Sequence, residues 1–147
     1  MKKCMETLLL LFLISCVTVN AEPVGSKNPD VTQANIRRTV CVPHYTDSIR
    51  PLTSYTNKLK VKQIKELHLQ GLPKSYELDH YIPLSLGGSP TNPDNLWPQV
   101  WSGPKGARSK DKLETLLHRK LCNNKITLAE GQECFINGWL KCYKLYY

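Results

Sequence analysis

The chain carries 147 residues, with 20 Lys and Arg against 12 Asp and Glu and a formal net charge of +8. That length fits one domain of ordinary size with a short extension, and no segment offers the ~20 consecutive apolar residues that a membrane-spanning helix requires. The basic surplus points to an anionic partner, whether nucleic acid, an acidic lipid surface or an anionic polysaccharide, with colloidal solubility as the plain alternative.

The first residues have the grammar of a secretory signal peptide. Lys2 and Lys3 form a basic start, Leu8 to Ile14 is an unbroken apolar run, and Val19-Asn20-Ala21 is a small-residue cleavage site before Glu22. The alternative is the lipobox-like Leu13-Ile14-Ser15-Cys16, which would acylate Cys16 and leave a lipid anchor. Either way the chain is expected to be exported, to a periplasm or the medium, or held on the outer surface of a membrane. Loss of Lys2, Lys3 and Glu6 with residues 1–21 takes the net charge from +8 to +7. Cys41, Cys122, Cys134 and Cys142 remain, and an even count in an exported chain reads as two disulfides with three connectivities. Pairing Cys41 with Cys122 would tie the N-terminal segment to a later helix, and Cys134 with Cys142 would clip the tail. A Zn²⁺ site using His118 and these thiols is the other option, although no Cys-x-x-Cys pair occurs.

Residues 22–30 have linker composition, and a single domain is expected over 31–147. Val31 to Val40 suggests a short helix with Ala34 and Ile36 inward and Arg37-Arg38 solvated. Val42 to Thr53, with two prolines, reads as an ordered loop. A helix is expected from Asn57 to Gln70, capped by Thr56 and Gly71, with Leu59, Ile64 and Leu67 near one face. Its Lys58, Lys60, Lys62 and Lys65 form either a track for a polyanion or an ordinary solvated face. Tyr76 to Ile82 alternates as a strand stopped by Pro83, Leu84 to Asp94 is a loop, and Asn95-Leu96-Trp97 is a second strand closed by Pro98, making a bent hairpin. Ala107 to Cys122 reads as a helix burying Leu113, Leu116, Leu117 and Leu121. Asp111, Glu114 and His118 share another face at spacings of three and four. Thr127 to Leu140 is expected as one helix, with Thr127 and Glu130 forming a capping box.

The chemistry concentrates at Glu77-Leu78-Asp79-His80-Tyr81-Ile82-Pro83-Leu84-Ser85-Leu86-Gly87-Gly88, followed by Asn95-Leu96-Trp97-Pro98. Phosphodiester hydrolysis needs a base for water, positive charge on the scissile phosphate and a surface that holds the strand. His80 is the one His of four placed beside a carboxylate, and an imidazole titrating near neutrality suits the base. Asp79 is an oxygen ligand of the kind that suits Mg²⁺ or Mn²⁺. Asn95 is a candidate either to fix the His80 ring or to complete a metal shell. The plain alternative is a structural Asp-His pair in a loop.

These residues, with Ala107-x-x-Lys110-Asp111-x-x-Glu114, Leu117-His118 and Cys122 behind them, resemble the HNH (ββα-metal, His-Me finger) endonucleases, and most closely a group of exported bacterial members. Val31 to Ile36, Cys41-Val42-Pro43 and Ser54 to Lys60 extend the resemblance over roughly residues 29–140. It implies an α+β fold, a small ββα-metal core with flanking helices and disulfides, and a divalent-metal-dependent nuclease cutting DNA, with RNA as a second substrate; the chain shows no separate readout module, so little sequence specificity is expected. It makes His80 the general base and Asp79 a metal ligand, with Asn95 orienting the base or approaching the metal. The third motif position departs from the pattern, because Gly106, Ala107 and Arg108 stand where an Asn or His is usual. Arg108 is then a candidate to hold the scissile phosphate, and Asp111 or Glu114 a candidate replacement ligand. The expected ion is Mg²⁺ or Mn²⁺, with Zn²⁺ as a further candidate. Two other readings stand beside this one: a nuclease scaffold that binds nucleic acid or another polyanion without cutting it, and a surface lipoprotein with a protein partner.

Overall fold

The computed structural model describes residues 23–147; the leader, its cleavage site and Cys16 lie outside them. A 3-10 turn (Gln33–Arg38) and helix α1 (Tyr45–Ile49) precede helix α2 (Thr53–Glu66). Strands β1 (Tyr76–His80) and β2 (Leu96–Val100) follow, then helices α3 (Ala107–Cys122), α4 (Leu128–Ile136) and α5 (Trp139–Tyr146). The chain is α+β, with one two-stranded antiparallel sheet in which Glu77 faces Gln99, Asp79 faces Trp97 and His80 faces Leu96. Among the described residues, no helix is long and apolar enough to cross a membrane.

Helix α3 forms over the expected residues because Leu113, Leu117 and Leu121 recur at helical spacing and are all buried. Leu116 stands off that stripe and is only partly covered, while Lys110, three residues before Leu113, falls on it and is fully buried. The stripe packs with Val31, Ile36, Val40, Ile82, Leu86 and Phe135 into the core. Asp79 reaches Lys110 on α3 and the Gln99 amide donates to the Lys105 carbonyl, so that face of the hairpin is turned to α3. On the α2 side, Lys60 Nζ donates to the Tyr76 carbonyl and Gln63 Nε2 to the Leu96 carbonyl. Covering from both sides replaces the expected in-out alternation of β1, so Asp79 and His80 are both buried.

Several boundaries differ from the sequence reading. Helix α2 starts at Thr53, and Thr56 bonds back to the Thr53 carbonyl within the helix instead of capping it. It ends at Glu66, where His68 rather than Gly71 takes the left-handed backbone that stops it. Leu67 is exposed and Leu59 only partly covered, because α2 docks on the sheet through Ile64 and polar contacts. The 3-10 turn buries Ile36 but leaves Ala34 exposed, and α1 occupies part of the expected 42–53 loop. Pro98 sits inside β2, opposite Leu78, where a two-stranded sheet tolerates a residue with no N–H to donate. The capping box at Thr127 and Glu130 forms as expected, but the helix breaks at Asn137-Gly138 (φ +94° at Gly138), so the tail folds back as α5.

Residues 24–30 are not a free linker. Gly25 N donates to the Asp94 carbonyl at 3.2 Å, Asn28 N to Gly87 at 2.8 Å, and Ser89 N to the Ser26 carbonyl at 2.7 Å. The segment is a strap across the loop that joins the strands, and backbone pairing outweighs its mobile composition.

Both disulfides join the cysteines favoured by the sequence, Cys41 with Cys122 and Cys134 with Cys142. The first closes a separation of 81 residues and fixes the approach to α1 against the end of α3; the second spans the corner between α4 and α5. Replacing Cys41 and Cys122 together by Ser is expected to lower the unfolding free energy by about 2–4 kcal/mol, the usual range for a native cross-link. Urea denaturation of both proteins measures this, and an unchanged midpoint would show that packing on α3 suffices.

Candidate active site

The end of β1, the first turns of α3 and the α1–α2 connection enclose a cleft of about 330 Å³, lined by Arg50, Glu77, Asp79, His80, Asp111 and Glu114 among others. A larger, mostly apolar hollow of about 440 Å³ lies between Leu67, Trp97 and Trp139. It offers no acid–base pair, so chemistry rather than size assigns the site to the smaller cleft.

His80 is buried, and its Nε2 lies 3.0 Å from the Pro90 carbonyl oxygen. A carbonyl only accepts, so the neutral ring carries its proton on Nε2 and keeps the lone pair on Nδ1. Burial pushes the imidazole below its ordinary value, against the opposing pull of Pro90 and Asp79. His80 is therefore neutral at pH 7, the state a general base requires.

Asp79 spends one oxygen on backbone and holds the other beside a buried ammonium. Oδ1 accepts from the His80 backbone N–H at 2.7 Å, and Oδ2 stands 3.0 Å from Lys110 Nζ. The second contact is close enough for an ion pair but is not aligned as a hydrogen bond. Burial works against the Lys110 charge, yet Asp79 and Glu114 together outweigh it and hold the ammonium above the ordinary lysine range. Its Nζ also sits 5.3 Å from the Phe135 ring centre.

Glu77, Asp111 and Glu114 complete an acidic wall. Burial, then Asp79 and Asp111, raise Glu77 to about 7. Burial and Asp79 raise Asp111; burial raises Glu114, against the pull of Lys110 and a 2.7 Å hydrogen bond from Ser85 Oγ. Arg50 is the cation that lines this cleft, and its charge opposes the upward shifts of Glu77 and Asp111. Sequence reading missed both Arg50 and Glu77. Glu77 stood in the motif two residues before Asp79, whereas nothing local marks Arg50.

Asn95 departs from its expected role. It is fully buried, and Oδ1 accepts from Ile82 N at 2.9 Å and Ser26 N at 3.3 Å while Nδ2 donates to the carbonyls of Ile82 at 3.0 Å and Ser89 at 2.8 Å. Its amide is spent on backbone, so it makes no hydrogen bond to the His80 ring and keeps no lone pair for a metal. It orients His80 at one remove, by holding the loop that presents Pro90. The paired glycines serve the same loop: Gly87 adopts φ +73°, and a Cβ on Gly88 would collide with the Ile82 carbonyl oxygen.

Arg108 is exposed and does not line the cleft, where Arg50 stands instead. Asp111 and Glu114 reach the cleft, but His118, one turn on, has its Nε2 2.8 Å from the Val40 carbonyl. Cys41, His118 and Cys122 do place donor atoms within 4.8 Å of one another. Their sulfurs are bonded to each other, which leaves no thiolate for Zn²⁺. Among the described residues no such group forms in the cleft. Of the ligands anticipated at Asp79, Asn95, Asp111 and Glu114, Asn95 is spent on backbone and Asp79 stands beside Lys110, while Asp79, Asp111 and Glu114 line the cleft together with Glu77.

Two outcomes follow for stability. Asn95→Ala strands several buried backbone groups and is expected to cost about 2–4 kcal/mol, read from denaturant midpoints; a loss below 1 kcal/mol would mean that water replaces the amide. Glu77 unfolded titrates near its ordinary 4.5, so between there and about 7 the unfolded chain has released a proton that the folded chain keeps. Its contribution to stability therefore falls as pH rises through that window. The Glu77→Gln protein should melt above the parent at pH 8 and level with it at pH 4, and equal melting at both would show that Glu77 is not strained by its neighbours.

No protein-family model matches this chain, and neither a curated protein nor a solved structure matches it.

Proposed function

We propose that the protein cleaves phosphodiester bonds in nucleic acid, with His80 as the general base. The observation that carries this reading is a buried, neutral imidazole, tied at Nε2 by Pro90, in a cleft that also holds Arg50 and a row of carboxyl groups. A lone pair on Nδ1 can take the proton of an attacking hydroxyl. A guanidinium fork matches the geometry of phosphate oxygens and neutralises the charge that builds on them. The leaving oxygen needs a proton in return, and Glu77, held protonated to about 7, can supply it. The +8 net charge favours a polyanion through backbone contacts, which makes binding salt-sensitive and tolerant of base sequence.

Two disulfides suit an oxidising compartment, and with the leader they support export of the active domain, with lipid anchoring at Cys16 as the alternative route. One observation favours a second reading, in which the scaffold binds nucleic acid without cutting it: Asn95 is spent on backbone and Lys110 stands against Asp79. That reading predicts salt-sensitive binding and no product.

Purified protein lacking residues 1–21 is expected to degrade plasmid DNA or RNA, followed on gels. His80→Ala should lower the rate by about 100-fold or more, the usual size of a general-base contribution. Arg50→Ala should lower it far more than Arg108→Ala. Normal cutting by His80→Ala would remove His80 from the base role, and a larger loss in Arg108→Ala would return the phosphate to that residue.

A further inference from the structure

The cleft proposed to act on a polyanion is itself rich in carboxyl groups. Glu77, Asp79, Asp111 and Glu114 line it beside Arg50, while Lys110 is fully buried against Asp79. A backbone with a negative charge on every phosphate is not drawn into such a wall unless cations around it hold the strand. The basic surplus therefore has to act from the surface near the cleft. Helix α2 begins three residues after Arg50 and carries four lysines.

The fold divides those lysines. Lys60 is turned inward, with Nζ donating to the Tyr76 carbonyl at 3.1 Å, so it serves the docking of α2 on the sheet. Lys58, Lys62 and Lys65 are exposed and recur at spacings of four and three, which places them on one face. Tyr55, three residues before Lys58, begins the same row. Its hydroxyl donates to the Thr91 carbonyl at 2.7 Å, and Thr91 adjoins Pro90, whose carbonyl lies against the His80 ring. The row thus starts at the loop that orients His80 and runs outward along the helix. From Lys58 to Lys65 it covers about 10 Å of helix axis, roughly three phosphate steps of one duplex strand. Glu66 is the single acid of α2, and its contact with Lys62 at 3.7 Å is exposed on both sides, too weak to withhold the lysine from a polyanion.

We propose that the outward face of α2, through Lys58, Lys62 and Lys65, seats the nucleic-acid backbone and leads it to the cleft, an inference that rests on the nuclease reading above. The three ammonium groups meet phosphates, so they position the strand without reading its bases. An anionic membrane is the other surface a basic helix can meet. A helix lying in that interface buries a broad apolar face. Among the outward residues of α2, Val61 is the single aliphatic side chain, and Ile64 is already packed inward. The face fits a charged rod better than a lipid surface.

Binding of a labelled DNA duplex is measured by fluorescence anisotropy in EDTA with the His80→Ala protein, which keeps the substrate intact. Adding Lys58→Gln, Lys62→Gln and Lys65→Gln together is expected to weaken binding by about tenfold or more at about 50 mM salt, and to make the slope of log K against log salt shallower by about 2–3. The same charge change on other faces, at the exposed Lys125, Lys141 and Lys144, should alter affinity by less than about threefold. With His80 restored, the α2 variant should cut with a raised KM and a kcat within about twofold of the parent, as when binding remote from the reacting atoms is lost. Unchanged duplex affinity in the α2 variant, or an equal loss in the control set, would overturn the inference, and cutting by the parent would leave the nuclease reading standing. Lysine-dependent binding with no cleavage by the parent would sink the nuclease reading and keep this surface. Binding of phosphatidylserine vesicles but not of duplex would assign the face to a membrane and overturn the inference.

Discussion

The contact on which the rest of the site depends is the buried pair between Asp79 and Lys110. Placing a lysine on the apolar stripe of α3 carries a desolvation cost of several kcal/mol, and partnership with a carboxylate is what makes that position tolerable. Glu114 and the Phe135 ring add to it. The pair joins β1 to the first turn of α3 and so sets the width of the cleft between them. It also fixes Asp79. The carboxylate is held by the His80 N–H on one oxygen and stands beside the Lys110 ammonium on the other.

Around that joint, rigidity comes from backbone rather than from side-chain bulk. Asn95 replaces the hydrogen bonds that the loop after β1 cannot make as a strand, and the strap at residues 24–30 adds pairing along Gly87 to Ser89. Polar groups buried in a loop are costly unless every one is satisfied, which explains why residues 81–88 can be buried without a break. The end product is the position of one carbonyl, that of Pro90, and through it the tautomer of His80.

The electrostatics of the cleft then follow from crowding. Glu77, Asp111 and Glu114 are forced together by the packing of a strand on a helix, and each is pushed toward its neutral form. Arg50 arrives from a segment that follows Cys41, whose bond to Cys122 anchors it to the far end of α3. A cross-link about one side of the domain thereby helps to position a cation on the other.

The sequence by itself determined what depends on near neighbours. The Leu113, Leu117, Leu121 spacing makes α3 whatever surrounds it, the Thr127–Glu130 box starts α4 from its own side chains, and Asp79-His80 with Gly87-Gly88 marks the strand end and turn that border the candidate site. Even the burial of Lys110 was latent there, three residues before Leu113 on the same stripe. Only the tertiary structure decided which groups meet. Arg50 reaches the cleft from thirty residues upstream of His80, Arg108 turns away to solvent although it borders the motif, and Asn95 bonds backbone rather than imidazole. A helix or a cap is set by contacts within a few residues, where the chain offers few choices. A site assembled across a strand, a loop and a helix depends on which competing polar partners packing brings within hydrogen-bond reach, and that is settled only when the whole domain closes.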